Sequence, residues 1–251
     1  MSQTLTISFA QITPTPAAGY RIKYWPVSNP TNITTLTATS SPKLITGLSE
    51  YSYADAGLCG SSHYLLPVVA ELLKDLPPNA IIADLGCGNG SFLGQLQGHG
   101  FELHGFEMSQ SGLAEAVKAY PAIRFEYADL TVDLTSHELA GKCDVVISTE
   151  VVEHVFLPRL YAKNCHHFVK PGGLLIISTP YHGYLKNLVM ALFAKLDAHF
   201  TALWDYGHIK FWSKRTLTLL LEEAGFEVLR FFGAGRVPYL WKSMILVARK
   251  S

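Results

Sequence analysis

Residues Ala80-Ile81-Ile82-Ala83-Asp84-Leu85 form an apolar run that stops at Gly86-Cys87-Gly88-Asn89-Gly90, and residues 91–97 then carry helical periodicity closed by Gly98. A buried strand that feeds a helix through a glycine-rich turn leaves few architectures open. Three glycines let the backbone turn sharply and approach a ligand closely, and the helix start presents amides without intrahelical partners. A GxGxG segment by itself is weak evidence. The strand before it and the helix after it give it weight.

The rest of the chain repeats the alternation. Helices are expected over 62–76 (ended by Pro77-Pro78), 111–119 and 157–168, and strands over 101–107, 123–127, 143–149 and 174–179. Pro171-Gly172-Gly173 supplies a tight turn before the last of these. After Pro180 the order becomes an apolar helical stretch over 184–204, a helix over 214–224 and strands over 226–231 and 243–249. Strands alternating with helices predict crossover units, hence a doubly wound α/β fold with a mostly parallel sheet covered on both faces.

Composition divides the chain near residue 50. Residues 1–50 hold ten Thr, five Pro, three Lys or Arg and one acid, Glu50, and read as short strands between proline-rich turns, as in Leu5-Thr6-Ile7-Ser8-Phe9. The segment Gly19-Tyr20-Arg21-Ile22-Lys23-Tyr24, followed by Ile45-Thr46-Gly47-Leu48, resembles the middle of a fibronectin type III sandwich. Such a sandwich takes roughly 100 residues. Residues 1–50 are therefore expected to be a short β-rich, Thr/Pro-rich extension, and 51–251 the main domain. Twenty Lys+Arg balance twenty Asp+Glu, which argues against a nucleic-acid partner held by its phosphates. No membrane span or signal peptide is expected. Cys59, Cys87, Cys143 and Cys165 show no zinc-like spacing, so reduced thiols in a cytoplasmic protein are expected.

In an open parallel sheet, ligands gather beyond the carboxyl ends of the strands. The dinucleotide fingerprint is GxGxxG, whereas here the third glycine comes one residue early at Gly90, with Ser91 where Gly or Ala is wanted. Asp84 is also unsuited to a pyrophosphate. A cationic aminoacyl sulfonium fits better, with Glu107 before Met108 placed for a ribose diol and Asp129-Leu130 for an adenine.

These residues together resemble the class I S-adenosylmethionine-dependent methyltransferases over about residues 51–251. The resemblance implies a seven-stranded Rossmann-like sheet and S-adenosylmethionine held by Asp84, Gly86, Cys87, Gly88, Asn89, Gly90, Glu107, Met108, Asp129, Leu130 and Glu150. A dinucleotide-dependent oxidoreductase is the alternative from another class.

A second constellation, Glu150-Val151-Val152-Glu153-His154, follows the 143–149 strand. Spacings of three and four place its two carboxylates and its imidazole on one face of a helical turn, a set able to hold a hard divalent cation such as Mg. The segment is similar to that of the ubiquinone-biosynthesis O-methyltransferases and of the small-RNA ribose 2′-O-methyltransferases. That resemblance implies Glu150, Glu153, His154 and, from His208-Ile209-Lys210-Phe211-Trp212, His208 as metal ligands. Without a metal, His154 or His208 is the candidate general base.

The 184–204 insert is dense in apolar residues and reads as a cover for a hydrophobic substrate, a peripheral membrane contact, or a buried or dimer-forming helix. Tyr51, Tyr53, His63 and Tyr64 would cover the cofactor from the N-terminal side. The expected activity is methylation of a phenolic, lipidic or glycosidic hydroxyl on a small substrate, with metal-dependent RNA ribose 2′-O-methylation as the alternative.

Overall fold

A computed structural model of the chain describes residues 21–24, 34–37, 51–58 and 60–251. The chain divides into two compact units, Met1–Ser49 and Glu50–Ser251. In the first, β1 (Arg21–Tyr24) pairs antiparallel with β2 (Thr34–Thr37), Arg21 opposite Thr37 and Tyr24 opposite Thr34. The expected strands at 5–9 and 45–48 lie outside the described residues.

The second unit runs α1 (Ser62–Leu73), β3 (Ile81–Leu85), α2 (Ser91–Gly94), β4 (Glu102–Glu107), α3 (Gln110–Ala119), β5 (Arg124–Tyr127), β6 (Cys143–Thr149), α4 (Pro158–Phe168), β7 (Val169–Pro180), α5 (Tyr184–Leu192), α6 (Leu196–Phe200), α7 (Lys214–Glu223), β8 (Phe226–Ala234) and β9 (Ser243–Lys250). Its seven strands lie in the order β5-β4-β3-β6-β7-β9-β8, the first five parallel and β9 antiparallel to both neighbours. This is the doubly wound α/β sheet the alternation predicts.

The period-two alternation of the central strands explains the covering of both faces. Ala83 and Leu85 of β3, Val146 of β6, Leu175 and Ile177 of β7, and Met244 and Leu246 of β9 pack in one core, with Tyr161 and Phe168 of α4 and Leu217 and Leu221 of α7. Ile82, Val145, Ile147, Ile176 and Ile245, one step along the same strands, point into the other, where Leu65, Val69 and Leu73 of α1 and Phe92 and Leu93 of α2 meet them.

Three elements depart from expectation. Pro171-Gly172-Gly173 is a bulge inside β7 rather than a turn before it, since Cys143 pairs with Val169 and Val145 already with Leu174. Gly172, at φ +75°, supplies the left-handed residue that the extra length requires. The expected 91–97 helix is cut to Ser91–Gly94 and continues as tight turns. The single helix expected over 184–204 is two, because Ala194 adopts φ 52° and the Lys195 amide reaches back to the Met190 carbonyl at 2.8 Å, a Schellman-type stop.

Candidate active site

Strand order reverses at β3, with β4 on one side and β6 on the other. The turns after β3 and β6 therefore face one crevice, the place where open α/β sheets bind ligands. They touch because residue 86 has no side chain: a Cβ there would lie 2.5 Å from Val151 Cγ2. Gly90, at φ +72°, is closed in by Phe125 and Ala116 at 2.7 and 2.8 Å from its missing Cβ.

Asp84, next to last in β3, is 1% exposed, and neither carboxylate oxygen has a hydrogen-bond partner. Burial, reinforced by the Glu107 carboxylate, pushes its pKa up to about 8. An orphaned buried acid is costly unless a cation joins it. This is the observation on which S-adenosylmethionine, with its sulfonium and ammonium charges, fits the chain.

Glu107 accepts from the Gly88 amide and the Ser109 amide, each at 2.7 Å, so both glycine turn and α3 entry hang on one carboxylate. Burial, Asp84 and Glu107 keep the Cys87 thiol protonated. Met108, the residue after β4, is 51% exposed.

Other expected cofactor residues have contacts within the chain. Leu130 is buried in the α4-side core, and Asp129 folds onto Thr131, accepting from its amide at 2.8 Å and its hydroxyl at 2.6 Å. Asn89 donates to the Asp55 and Gly57 carbonyls at 2.8 Å and so ties down residues 51–58. That strap lays Tyr53 over Gly88, whose missing Cβ would meet the phenol oxygen at 2.6 Å, and fixes Tyr51 through its carbonyl to Ser109 Oγ at 2.7 Å. His63 is exposed.

Beyond β6 the structure brings together Glu153, His154 and His208, with one ligand atom from each within 4.8 Å of the others. Glu150 is not in that group. It sits at φ 55°, and its two carboxylate oxygens accept from Ser178 Oγ at 2.8 Å and Ser243 Oγ at 3.0 Å. A helical turn would have aligned it with Glu153; the left-handed residue instead swings it toward β7 and β9.

Glu153 is 1% exposed; Oε2 accepts from Thr179 Oγ1 at 2.9 Å, and Oε1 has no hydrogen-bond partner. Oε1 faces His154 Nε2 at 3.9 Å and His208 Nε2 at 4.0 Å. Burial raises the Glu150 and Glu153 pKa values, with each hydroxyl hydrogen bond opposing it. Burial lowers both histidines, His208 to about 4 with help from His154 and His199, so the imidazoles are neutral near pH 7. His154 Nδ1 lies 2.9 Å from the Tyr206 carbonyl, which can only accept, so Nδ1 carries the proton and Nε2 keeps its lone pair.

The segment 208–212 reaches the turn after β6 through main-chain bonds, the Ile209 and Lys210 amides to the Glu153 carbonyl at 3.0 Å, and through Trp212 Nε1 to the Val152 carbonyl at 3.2 Å. Trp204 packs on both histidines, with centroids 6.2 Å from His154 and 5.5 Å from His208. Sequence reasoning passed over Ser178, Thr179, Ser243 and the Tyr206 carbonyl. The polar pair Ser178-Thr179 closing an apolar strand was the available signal; a backbone carbonyl leaves none.

Comparison with known proteins places this geometry. A family model described as a methyltransferase domain matches residues 61–230. Among curated relatives, ubiquinone biosynthesis O-methyltransferases are 28% identical over 154 residues in Pseudomonas aeruginosa, covering 61% of this chain and 66% of that protein. One from Ruegeria is 29% identical over 192 residues, covering 73% and 77%. The chain thus spans just under two thirds of the length of the first of these. Among solved structures, magnesium protoporphyrin IX methyltransferase from Synechocystis shares the fold at TM-score 0.58 and 21% identity over 74% of this chain and 82% of that one. A TehB-like S-adenosylmethionine-dependent methyltransferase from Corynebacterium glutamicum does so at 0.55 and 20%, over 78% and 91%. With its strand–glycine turn–helix inside the matched region, the chain belongs to the S-adenosylmethionine-dependent methyltransferases.

Proposed function

We propose that the chain methylates a hydroxyl group of a small apolar substrate, and that Glu153, His154 and His208 handle the acceptor oxygen. The supporting observation is the pair of neutral imidazoles beside a buried carboxylate, one of them held with its Nε2 lone pair directed to the same spot as its neighbours. S-adenosylmethionine, when bound, supplies a methyl group on a sulfonium. His154 Nε2 takes the hydroxyl proton as the oxygen attacks, and the proton ends on an imidazole whose positive charge Glu153 stabilises. The Tyr206 carbonyl fixes the tautomer, and Trp204 fixes both rings in place. The O-methyltransferase relatives point the same way, and the balanced charge of the chain favours a small molecule over RNA.

The same three groups fit a divalent cation, and the orphaned Glu153 Oε1 is the reason. Two imidazole nitrogens and one carboxylate oxygen suit zinc, manganese or iron better than magnesium, which prefers oxygen ligands. A bound cation would lower the pKa of the acceptor hydroxyl.

Turnover against a panel of catechols, hydroxylated lipids and sugars tests the reading. His154→Gln should lower kcat at least a hundredfold, of the order expected for a general base, while calorimetry shows S-adenosylmethionine affinity within threefold of the parent. A variant of unchanged kcat on an O-methylated substrate would remove His154 from the reaction. Activity that survives exhaustive chelation would remove the cation and leave the histidine base.

A further inference from the structure

The α5 helix is inside out. Its one buried residue is Lys186, 4% exposed, whereas Tyr184, Leu185, Leu188 and Leu192 face solvent. An amphipathic helix is stabilised by the reverse arrangement, and a buried ammonium is unfavourable unless an anion or several acceptors meet it. Among the described residues Lys186 makes one hydrogen bond, from Nζ to the Lys242 carbonyl at 3.3 Å, and no ion pair within 4.0 Å, the carboxylate that acts on it being the more distant Glu150. Arg236, on the loop after β8, lines the same cleft as Lys186, has no ion pair within 4.0 Å among the described residues, and its charge opposes that of Lys186.

Both cations line a cleft of 360 Å³ on the Lys186 face of α5, walled otherwise by Val189, Met190, Val237 and Leu240. It adjoins the acceptor side of the site. Lys242, which takes the Lys186 ammonium, precedes Ser243, whose hydroxyl donates to Glu150. Two cations without a direct ion pair, with only Glu150 near one of them, at the edge of an apolar cleft are complementary to one kind of occupant, an apolar body bearing an anionic group.

We infer that this cleft binds a single amphiphile carrying a carboxylate or phosphate, its anionic group on Lys186 and Arg236 and its apolar body along Val189, Met190, Val237 and Leu240. Only the further step, that this amphiphile is the methyl acceptor, rests on the proposed function.

Calorimetric titration of the full chain with decanoate, decyl phosphate and decanol tests it. Either anion should bind at least tenfold more tightly than decanol, and the ratio of the two anions identifies the head group. Lys186→Met, which keeps the apolar stem, and Arg236→Gln should each cost at least tenfold in anion affinity and leave S-adenosylhomocysteine binding within twofold. Anions that bind no better than decanol, or bind both variants as they bind the parent, overturn the inference. So does sedimentation with phosphatidylglycerol vesicles without saturable binding of either free anion, which would put a bilayer on this face. A chain that binds decanoate but not S-adenosylmethionine would instead sink the methyl-transfer reading and leave the cleft standing.

Discussion

Asp84 carries a large electrostatic strain in the cofactor half of the site, and its sign is testable. Its folded-state pKa of about 8 lies above the ordinary 3.8, so between those values the folded chain holds a proton that the unfolded chain releases. The stability this group contributes is full below about pH 4 and is lost as pH rises toward 8. Without cofactor the protein should therefore melt at a lower temperature at pH 8 than at pH 6. Asp84→Asn should flatten that slope, and an unchanged slope would assign it to other groups. The same variant should bind S-adenosylmethionine about tenfold more weakly, or ~1.4 kcal/mol. S-adenosylhomocysteine, which lacks the sulfonium charge, should lose less; equal losses would show that Asp84 does not read that charge.

At the scale of elements, the strands and the glycine turn were legible because burial imposes them. Ile82, Val145 and Ile176 are apolar on one face and Ala83, Val146 and Leu175 on the other, so a strand buried on both sides leaves a continuous apolar run. Asp84 and Glu107 were legible for the same reason, as acids stranded at the ends of such runs. The break in the insert was not, since no Gly or Pro marks it and Ala194 ends α5 in a left-handed conformation that alanine disfavours. Nor was the departure of Glu150, whose spacing fits a helical turn that its own φ prevents. Ala194→Gly follows from this. The residue is exposed, so its replacement changes little but the backbone term, and the protein should gain about 1 kcal/mol, or roughly 3 °C in Tm. A loss of stability on differential scanning would mean that the entropy of glycine in the unfolded chain outweighs the strain.

Across the whole molecule, the zero net charge conceals an uneven distribution. Residues 1–49 contain no acid, while the second unit holds Asp84, Glu107, Glu150 and Glu153 buried in the crevice and at its rim. Burying like charges is tolerable only where cations arrive, from the cofactor on one side and from a proton or metal on the other. The crevice is assembled from β3, β4, β6, β7 and β9 and from the 51–58 strap, all within Glu50–Ser251. The boundary at Ser49 leaves every one of these contacts on one side. A chain beginning at Glu50 should thus fold, bind S-adenosylmethionine within twofold of the full-length affinity, and melt within about 3 °C of it, the shift of a 1 kcal/mol perturbation. Cutting instead at Leu58 would remove the carbonyls of Asp55 and Gly57 that hold Asn89 and the tyrosine that covers Gly88. That shorter chain should lose cofactor affinity at least tenfold. If the Glu50 truncation suffers the same loss, the first unit contributes to the cofactor site and the division at residue 49 is not a functional one.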